Sequence, residues 1–300
     1  MAERKDVFAM NESAPGSMGA LTWWELRGHT TISSLAAAWE LEGFAPEELM
    51  CEAPSTERAL ARATQHAMRE RQIRRPLGRR GAWEVIDEEV VGDGDDQTLE
   101  HSALVRASVE RFGGKASGAK SVRVTVANDS EEAAAMKECI LELLSRYEQQ
   151  LVQRDLSDWL LRLLSSPRFR ALHLRQKGGF YFVPEDRVAA WEGVAKVVEV
   201  VGCGVVWTMP AARAERAVAA ILAAVRLESE RAFAEMEDYL IGDVSTRGLN
   251  SVERRLHEAR EKLRVYANLL GSELPELTTR AAEVEGALAA AKLLEEEGDV

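Results

Sequence analysis

A stripe of apolar residues near the C-terminal end constrains the fold of this chain more than any other feature. Its members follow one another at alternating steps of three and four residues: Leu249, Val252, Leu256, Ala259, Leu263, Tyr266 and Leu270. This spacing places them along one side of an α-helix, as the narrow seam typical of coiled coils. The seam must therefore be covered by a second apolar surface, from the same chain or from another one.

Two further amphipathic patterns flank the seam, so residues 211–300 predict an antiparallel, coiled-coil-like helical region. Glycines separate the three helical patterns, and helices joined by short turns fold back on each other. One sequence does not decide whether these helices pack on their own chain or on another copy. As the candidate helical interface we take six positions of the seam: Leu249, Val252, Leu256, Leu263, Tyr266 and Leu270.

The first third of the chain predicts a tail followed by a mixed module. Residues 1–20 have little apolar content, so we expect a flexible tail there. Over 21–111 we expect an α+β module that contains a helix starting after Pro54 and a β-hairpin. The hairpin strands are 83–91 and 99–109, and an acidic Gly/Asp turn lies between them.

The centre of the chain predicts a second module. Residues 112–120, rich in Gly, Ser and Lys, predict a linker. Over 121–210 the strand and helix patterns alternate as β-α-β-β-α-β, the ferredoxin-like arrangement. Its middle strands form a hairpin from 169–175 and 180–183, joined by a tight glycine turn. With the helical region at the C-terminal end, the expected fold class is α+β.

Composition excludes several classes of protein. The net charge of -12 argues against a chain that grips nucleic acid or a membrane over its whole surface. The three cysteines lie far apart, which excludes a disulfide framework and favours a reducing compartment. No apolar run approaches the roughly 20 residues that a membrane helix needs, and the first ten residues lack the apolar core of a signal peptide. We therefore expect a cytoplasmic protein that does not contact membranes.

The sequence offers no catalytic constellation. The segment 113–121 is close to a phosphate-binding P-loop, but Ala119 separates the glycine from the lysine, and the segment precedes a strand. The five histidines fall in separate elements, and none has a cysteine or carboxylate at metal-ligand spacing. We therefore expect no catalytic residues, no metal and no cofactor, and a protein that is not an enzyme.

A basic patch precedes the acidic hairpin, and it has two interpretations. Either its arginines neutralise the acidic residues, within the module or between copies of the chain, or they bind phosphate groups. The first interpretation is favoured because the two blocks of opposite charge are adjacent. The patch consists of Arg69, Arg71, Arg74, Arg75, Arg79 and Arg80.

A second surface is predicted to be both aromatic and basic. A two-residue turn in the second hairpin would place odd positions of its first strand beside even positions of its second. The first strand of the module would add an outward-facing arginine. The predicted face holds Arg123, Phe169, His173, Arg175, Lys177, Phe180 and Phe182.

This face carries a resemblance to a known family. The strand order, together with the run Lys177-Gly178-Gly179-Phe180-Tyr181-Phe182-Val183, resembles an RNA-recognition motif domain. The resemblance covers about residues 121–209 and implies that the strand aromatics stack on bases. The alternative is that Phe180 and Phe182 are covered by other parts of the chain, since apolar strand residues usually belong to a core.

Two functions follow from these patterns. The first is a non-enzymatic interaction or scaffold protein that associates with itself or with another protein through its amphipathic helices and segregated charges. The alternative is a protein that binds single-stranded nucleic acid through the aromatic and basic sheet face. Binding assays with single-stranded RNA and DNA would discriminate between them.

Overall fold

The computed structural model describes residues 17–68, 72–78, 81–91, 98–111, 120–175, 179–241, 245–271 and 274–298. These residues form antiparallel sheets and α-helices, which confirms the α+β class. The strands are β1 (Ser17–Leu26), β2 (His29–Thr31), β3 (Gln72–Pro76), β4 (Ala82–Val91), β5 (Thr98–Arg111), β6 (Lys120–Val126), β7 (Gln150–Val152), β8 (Leu172–His173), β9 (Tyr181–Pro184) and β10 (Gly204–Ala212). The helices are α1 (Ile32–Leu41), α2 (Thr56–Ala67), α3 (Glu131–Tyr147), α4 (Gln153–Ser165), α5 (Glu185–Val200), α6 (Glu215–Leu240), α7 (Thr246–Leu270) and α8 (Pro275–Gly298).

The chain divides into two compact units. One unit is the continuous segment 27–159, and the other combines 1–26 with 160–300. The second unit thus combines two segments that are far apart in sequence, and the first unit is the stretch of sequence between those segments.

In the unit 27–159, a four-stranded antiparallel sheet has the order β3-β4-β5-β6. Helices α2 and α3 cover one of its faces and share a core with it. Local signals start both helices, because the side chains of Ser55 and Ser130 accept hydrogen bonds from backbone N–H groups of the first turn. The core of this unit includes Leu60, Val85, Val105, Val124 and Ile140.

A second cluster in the same unit is aromatic. Trp39 and Trp159 are fully buried, and their ring centroids lie 6.1 Å apart in an edge-on arrangement. Each indole N–H donates to a backbone carbonyl, that of Ala45 for Trp39 and that of Leu49 for Trp159. These bonds satisfy the polar atom of each buried ring, so both rings can pack in an apolar core.

The other unit contains a sheet with the order β10-β1-β9-β8. Strands β9 and β10 both run antiparallel to β1, so they are parallel to each other with β1 between them. Helix α5 connects them and packs on one face of the sheet. There the Trp191 indole donates to the Thr22 hydroxyl, which in turn donates to the Trp207 carbonyl, both at 2.8 Å.

Helices α6, α7 and α8 cover part of the opposite face. Their apolar stripes form one buried cluster with Met18, Leu172 and Phe182 of the sheet. The buried Tyr266 of α7 donates its hydroxyl to the backbone carbonyl of Arg170. The apolar stripe of 211–300 is therefore covered within the chain itself.

The structure corrects the expected ferredoxin-like module. Strand β6 pairs with β5 along Val105–Arg111, in the sheet of the 27–159 unit, and does not join β8, β9 and β10. The physical reason is local, because β5 and β6 are consecutive strands that can pair as a hairpin, whereas the β8–β10 sheet takes β1 as its central strand.

Smaller differences concern the predicted boundaries. Residues 17–20 of the expected tail lie in β1. The remainder of the tail, 1–16, and the linker residues 112–119 lie outside the described residues. The hairpin of β4 and β5 is antiparallel as expected.

Candidate interaction surface

The edge strand β10 exposes a row of apolar side chains. Val205, Trp207 and Met209 are 40%, 38% and 47% exposed, whereas Val206 between them is buried. Successive side chains of a strand point to opposite faces, so the three exposed residues lie on one face of the sheet. Among the described strands, β10 pairs only with β1, which leaves its outer edge unpaired. An edge strand with exposed apolar side chains is a template for pairing with another chain.

Two further aromatic rings extend this row across the sheet. Trp23 of β1 lies directly opposite Trp207, and the two rings stack with centroids 6.5 Å apart. Phe180, the residue before β9, stacks on Trp23 with centroids 5.0 Å apart. Trp23 is thus flanked by a ring on each side, and Trp207 terminates the row at the sheet edge. We call Trp207, Trp23 and Phe180 the aromatic row.

The predicted aromatic and basic face is not formed, because the register of the hairpin differs. Leu172 lies opposite Phe182, and the N–H of Leu174 donates to the carbonyl of Phe180. Five residues therefore separate Leu174 from Phe180, whereas the sequence predicted a turn of two residues. This odd number puts Leu172 and Leu174 beside Phe182 and Phe180, and moves His173 to the opposite face.

The remaining residues of that predicted face are dispersed. His173 stacks on Tyr181, and Phe169 is fully buried edge-on to Trp191. Phe182 is also fully buried, beside Tyr266. Arg175 is exposed beyond the last paired position, and Lys177 lies outside the described residues.

Arg123 lies in a different sheet from those aromatic residues. It belongs to β6 of the 27–159 unit, where its guanidinium pairs with Glu110 at 3.2 Å. Because β6 and the β8–β9 hairpin belong to different sheets, Arg123 does not share a sheet face with the hairpin.

The described part of the basic patch pairs with carboxylates of its own unit or packs on its own chain. Arg75 and Arg106 both contact Glu84, which is 1% exposed. Arg74 donates to the Ala61 carbonyl and lies over the Trp83 ring, 5.4 Å from its centroid. The Arg75 contact agrees with the interpretation that charges neutralise each other within the module, whereas Arg74 contacts a carbonyl and a ring and no carboxylate of the described residues. Four members of the patch lie outside the described residues: Arg69, Arg71, Arg79 and Arg80.

The hydrogen bond from Arg106, supported by that from Arg75, holds the pKa of Glu84 below its ordinary value. Burial acts in the opposite direction, and the two guanidinium groups prevail. Glu84 is therefore a charged carboxylate at neutral pH despite its burial.

The candidate helical interface is covered. All six residues are at most 8% exposed and belong to the cluster that α6, α7 and α8 form with the sheet: Leu249, Val252, Leu256, Leu263, Tyr266 and Leu270. An exposed seam for a second chain is therefore not present on α7.

Within the described part of the chain, no group of three or more His, Cys, Asp and Glu is placed to hold a metal ion. Burial raises the pKa of the Cys203 thiol to about 11, so this thiol is protonated and unreactive at neutral pH. Searched over the described residues, no helix is both long enough and apolar enough to cross a membrane.

Sequence reasoning missed most of the aromatic row. Phe180 was a candidate, but Trp23 and Trp207 were not, although the alternation of Val205, Trp207 and Met209 is a visible strand signal. The missing information is the pairing of β1 with β10, two strands that lie far apart in the sequence.

Comparison with known proteins bears on the family of this chain. No curated protein and no solved structure matches this chain. One family model matches residues 17–297, almost the whole of the described chain. The chain therefore belongs to the family described as "Family of unknown function (DUF6744)".

Proposed function

We propose that the protein is a non-enzymatic interaction protein that pairs with a second copy of itself through the edge strand β10. The observation that carries the proposal is the row of exposed apolar side chains on this edge, Val205, Trp207 and Met209. Water-exposed apolar area of this kind is removed from solvent when a second sheet edge pairs with it.

The spacing of the three residues favours a second copy as the partner. In an antiparallel pairing with its two-fold axis at Trp207, Trp207 lies opposite Trp207 of the partner subunit. Val205 then lies opposite Met209 of the partner subunit, and the reverse pair forms by symmetry. Each exposed apolar side chain thus meets another one, which is the self-complementarity that a two-fold interface requires.

The other candidate for self-association, the helical seam, is already used. Its residues contact α6, α8 and the sheet of the same chain. Association through α7 would require this core to open, whereas association through β10 leaves it intact.

Sedimentation velocity over a range of protein concentrations tests the proposal. We expect the wild-type protein to shift from monomer to dimer as its concentration rises. Trp207→Arg places a charge at the centre of the pairing, so this variant should stay monomeric. The matched control is Leu227→Arg, which makes the same change at a side chain of α6 that is 49% exposed, and it should dimerise like the wild type.

A second variant controls for the possibility that Trp207→Arg disturbs folding. Met209→Lys removes apolar contact at the same edge, but Met209 is not part of the aromatic row. It should weaken dimerisation while its circular dichroism spectrum and thermal transition stay close to those of the wild type. A wild-type chain that stays monomeric at every soluble concentration would contradict the proposal, as would a folded Trp207→Arg dimer.

The alternative function is binding of single-stranded nucleic acid, and the exposed ring of Trp207 is the observation that favours it. A base can stack on the side of Trp207 that faces away from Trp23, at roughly 1–3 kcal/mol. The arrangement favours it less than pairing, because Trp23 already has a ring on each side. Fluorescence anisotropy with single-stranded RNA and DNA tests it, and Trp207→Ala should abolish any such binding.

A further inference from the structure

An open cleft in the 27–159 unit is lined by cationic and polar side chains. Its volume is about 510 Å³, and its walls come from α2, β3, β7 and the last residue of α3. The lining residues are Ala61, Arg62, Gln65, His66, Arg74, Tyr147 and Val152. None of them is acidic, although the chain carries 50 Asp and Glu against 38 Lys and Arg. The local composition is therefore opposite in charge to the protein as a whole.

Arg74 supplies a positive charge to the cleft. Its Nη1 donates to the Ala61 carbonyl at 2.6 Å, and its guanidinium lies over the Trp83 ring. No carboxylate of the described residues pairs with it. The backbone bond and the ring fix the guanidinium in place, so a ligand does not have to order a flexible side chain.

Arg62 lines the cleft but adds little net positive charge to it. Its Nη2 pairs with the buried Asp155 at 2.8 Å, and its Nη1 donates to the Gln150 carbonyl. The Arg62 side chain is 21% exposed and lines the cleft beside the α2 turn that Arg74 contacts. Its charge is balanced by Asp155, and the excess positive charge of the cleft comes from Arg74.

His66 and Tyr147 add polar atoms to the same cleft. The His66 Nδ1 and the Tyr147 hydroxyl lie 2.7 Å apart in a hydrogen bond that joins α2 to α3. Gln65, the preceding residue of α2, is exposed at the cleft and carries an amide that can donate.

We propose that this cleft binds the phosphate group of a small phosphorylated molecule of about nucleotide size, with Arg74 as the principal contact. A guanidinium presents several N–H donors in one plane and matches the oxygens of a phosphate. The volume lies within the roughly 300–1,000 Å³ typical of small-molecule sites. No lining residue is a carboxylate, so an anion in the cleft meets no close-range repulsion from its walls.

Isothermal titration calorimetry of the full chain tests the site with three probes: inorganic phosphate, a nucleoside monophosphate and the corresponding nucleoside. We expect the monophosphate to bind, phosphate to bind more weakly and the nucleoside not to bind. Arg74→Met keeps the aliphatic part of the side chain and removes the charge, so it should weaken monophosphate binding about tenfold or more.

Two further variants complete the test. Gln65→Glu places a carboxylate in the cleft at an exposed helix position, where folding is not at risk, and it should weaken binding to a similar extent. The matched control is Arg123→Met, which removes a 64% exposed arginine from the same unit outside the cleft. This control should bind the monophosphate like the wild type.

Several results would overturn the proposal. One is a wild-type protein that binds neither phosphate nor the monophosphate, and another is undiminished binding by the folded Arg74→Met and Gln65→Glu variants. Much tighter binding of a single-stranded oligonucleotide, lost in the same variants, would assign the cleft to nucleic acid instead. The site does not depend on β10, so Trp207→Arg should leave monophosphate binding unchanged.

Discussion

At the scale of single residues, the Glu84 carboxylate shows how this protein stabilises a buried charge. It lies on β4 between Arg75 of β3 and Arg106 of β5, in one row across the sheet. The carboxylate is 1% exposed, while both arginine side chains are 60% exposed. The two exposed cations therefore shield a buried anion from water, and the charged form is stabilised by direct hydrogen bonds.

Glu84→Gln should lower the free energy of unfolding at neutral pH by roughly 1–3 kcal/mol, because charge-assisted hydrogen bonds are lost. The folded-state pKa is lowered from its ordinary value of 4.5, so this stability is fully present above pH 4.5. It is lost as the pH falls through the lowered folded-state value, where the wild-type carboxylate becomes protonated. Urea unfolding of both proteins over a pH series measures the difference.

The control for this experiment is Glu285→Gln. Glu285 pairs with Arg260, but both side chains are substantially exposed, so no measurable change in stability is expected. A difference between wild type and Glu84→Gln that stays constant from neutral to acidic pH would contradict the predicted role of the Glu84 charge.

At the scale of elements, the apolar face of α7 forms the core of the helical region. Its apolar stripe packs against α6 and α8, and Tyr266 reaches the loop that precedes β8. Ion pairs between helices surround this core, including Arg260 with Glu285 and Arg280 with Glu237. These pairs are exposed or partly exposed, so the apolar stripe supplies most of the stability of the helical region.

Leu256→Ala should lower the free energy of unfolding by about 2–5 kcal/mol, because it leaves a cavity at a side chain that is 3% exposed. Dimerisation should not change, because the seam is covered within the chain. Urea unfolding and sedimentation velocity on the same samples separate the two effects. Leu227→Ala, at an exposed position of α6, is the control and should be close to the wild type in both measurements. A folded but monomeric Leu256→Ala would identify α7 as the interface.

At the scale of the whole molecule, the net charge of -12 opposes the association of two copies. Salt screens this repulsion, since the Debye length falls from about 10 Å at 0.1 M to about 3 Å at 1 M. Pairing through the apolar edge of β10 should therefore strengthen with added salt. Sedimentation equilibrium at low and high ionic strength measures this trend, and a dimer that weakens with salt would contradict pairing through an apolar edge.

The same salt series separates the two functions. Binding of nucleic acid releases counterions from phosphates, so its affinity falls as salt rises. Dimerisation through β10 should strengthen with salt, whereas binding of nucleic acid should weaken with salt. The two interactions are therefore distinguishable even if Trp207 contributes to both.

Much of the local structure is determined by residues close together in sequence. Ser55 and Ser130 start their helices, the β4–β5 hairpin forms between neighbouring strands, and the three-and-four stripe of 249–270 makes α7 a helix with one buried face. The α+β class follows from these signals, because each depends on spacings of a few residues.

The tertiary structure alone decided which strands share a sheet and which side chains remain exposed. Pairing of β1 with β10 joins two strands that lie far apart in the sequence, and only this pairing brings Trp23 beside Trp207. The register of β8 and β9 depends on the number of residues between them, and an odd number moves His173 away from Phe180. Side chains alternate along a strand, so a change of one residue in register exchanges the two faces of a sheet, and no local pattern fixes that register in advance.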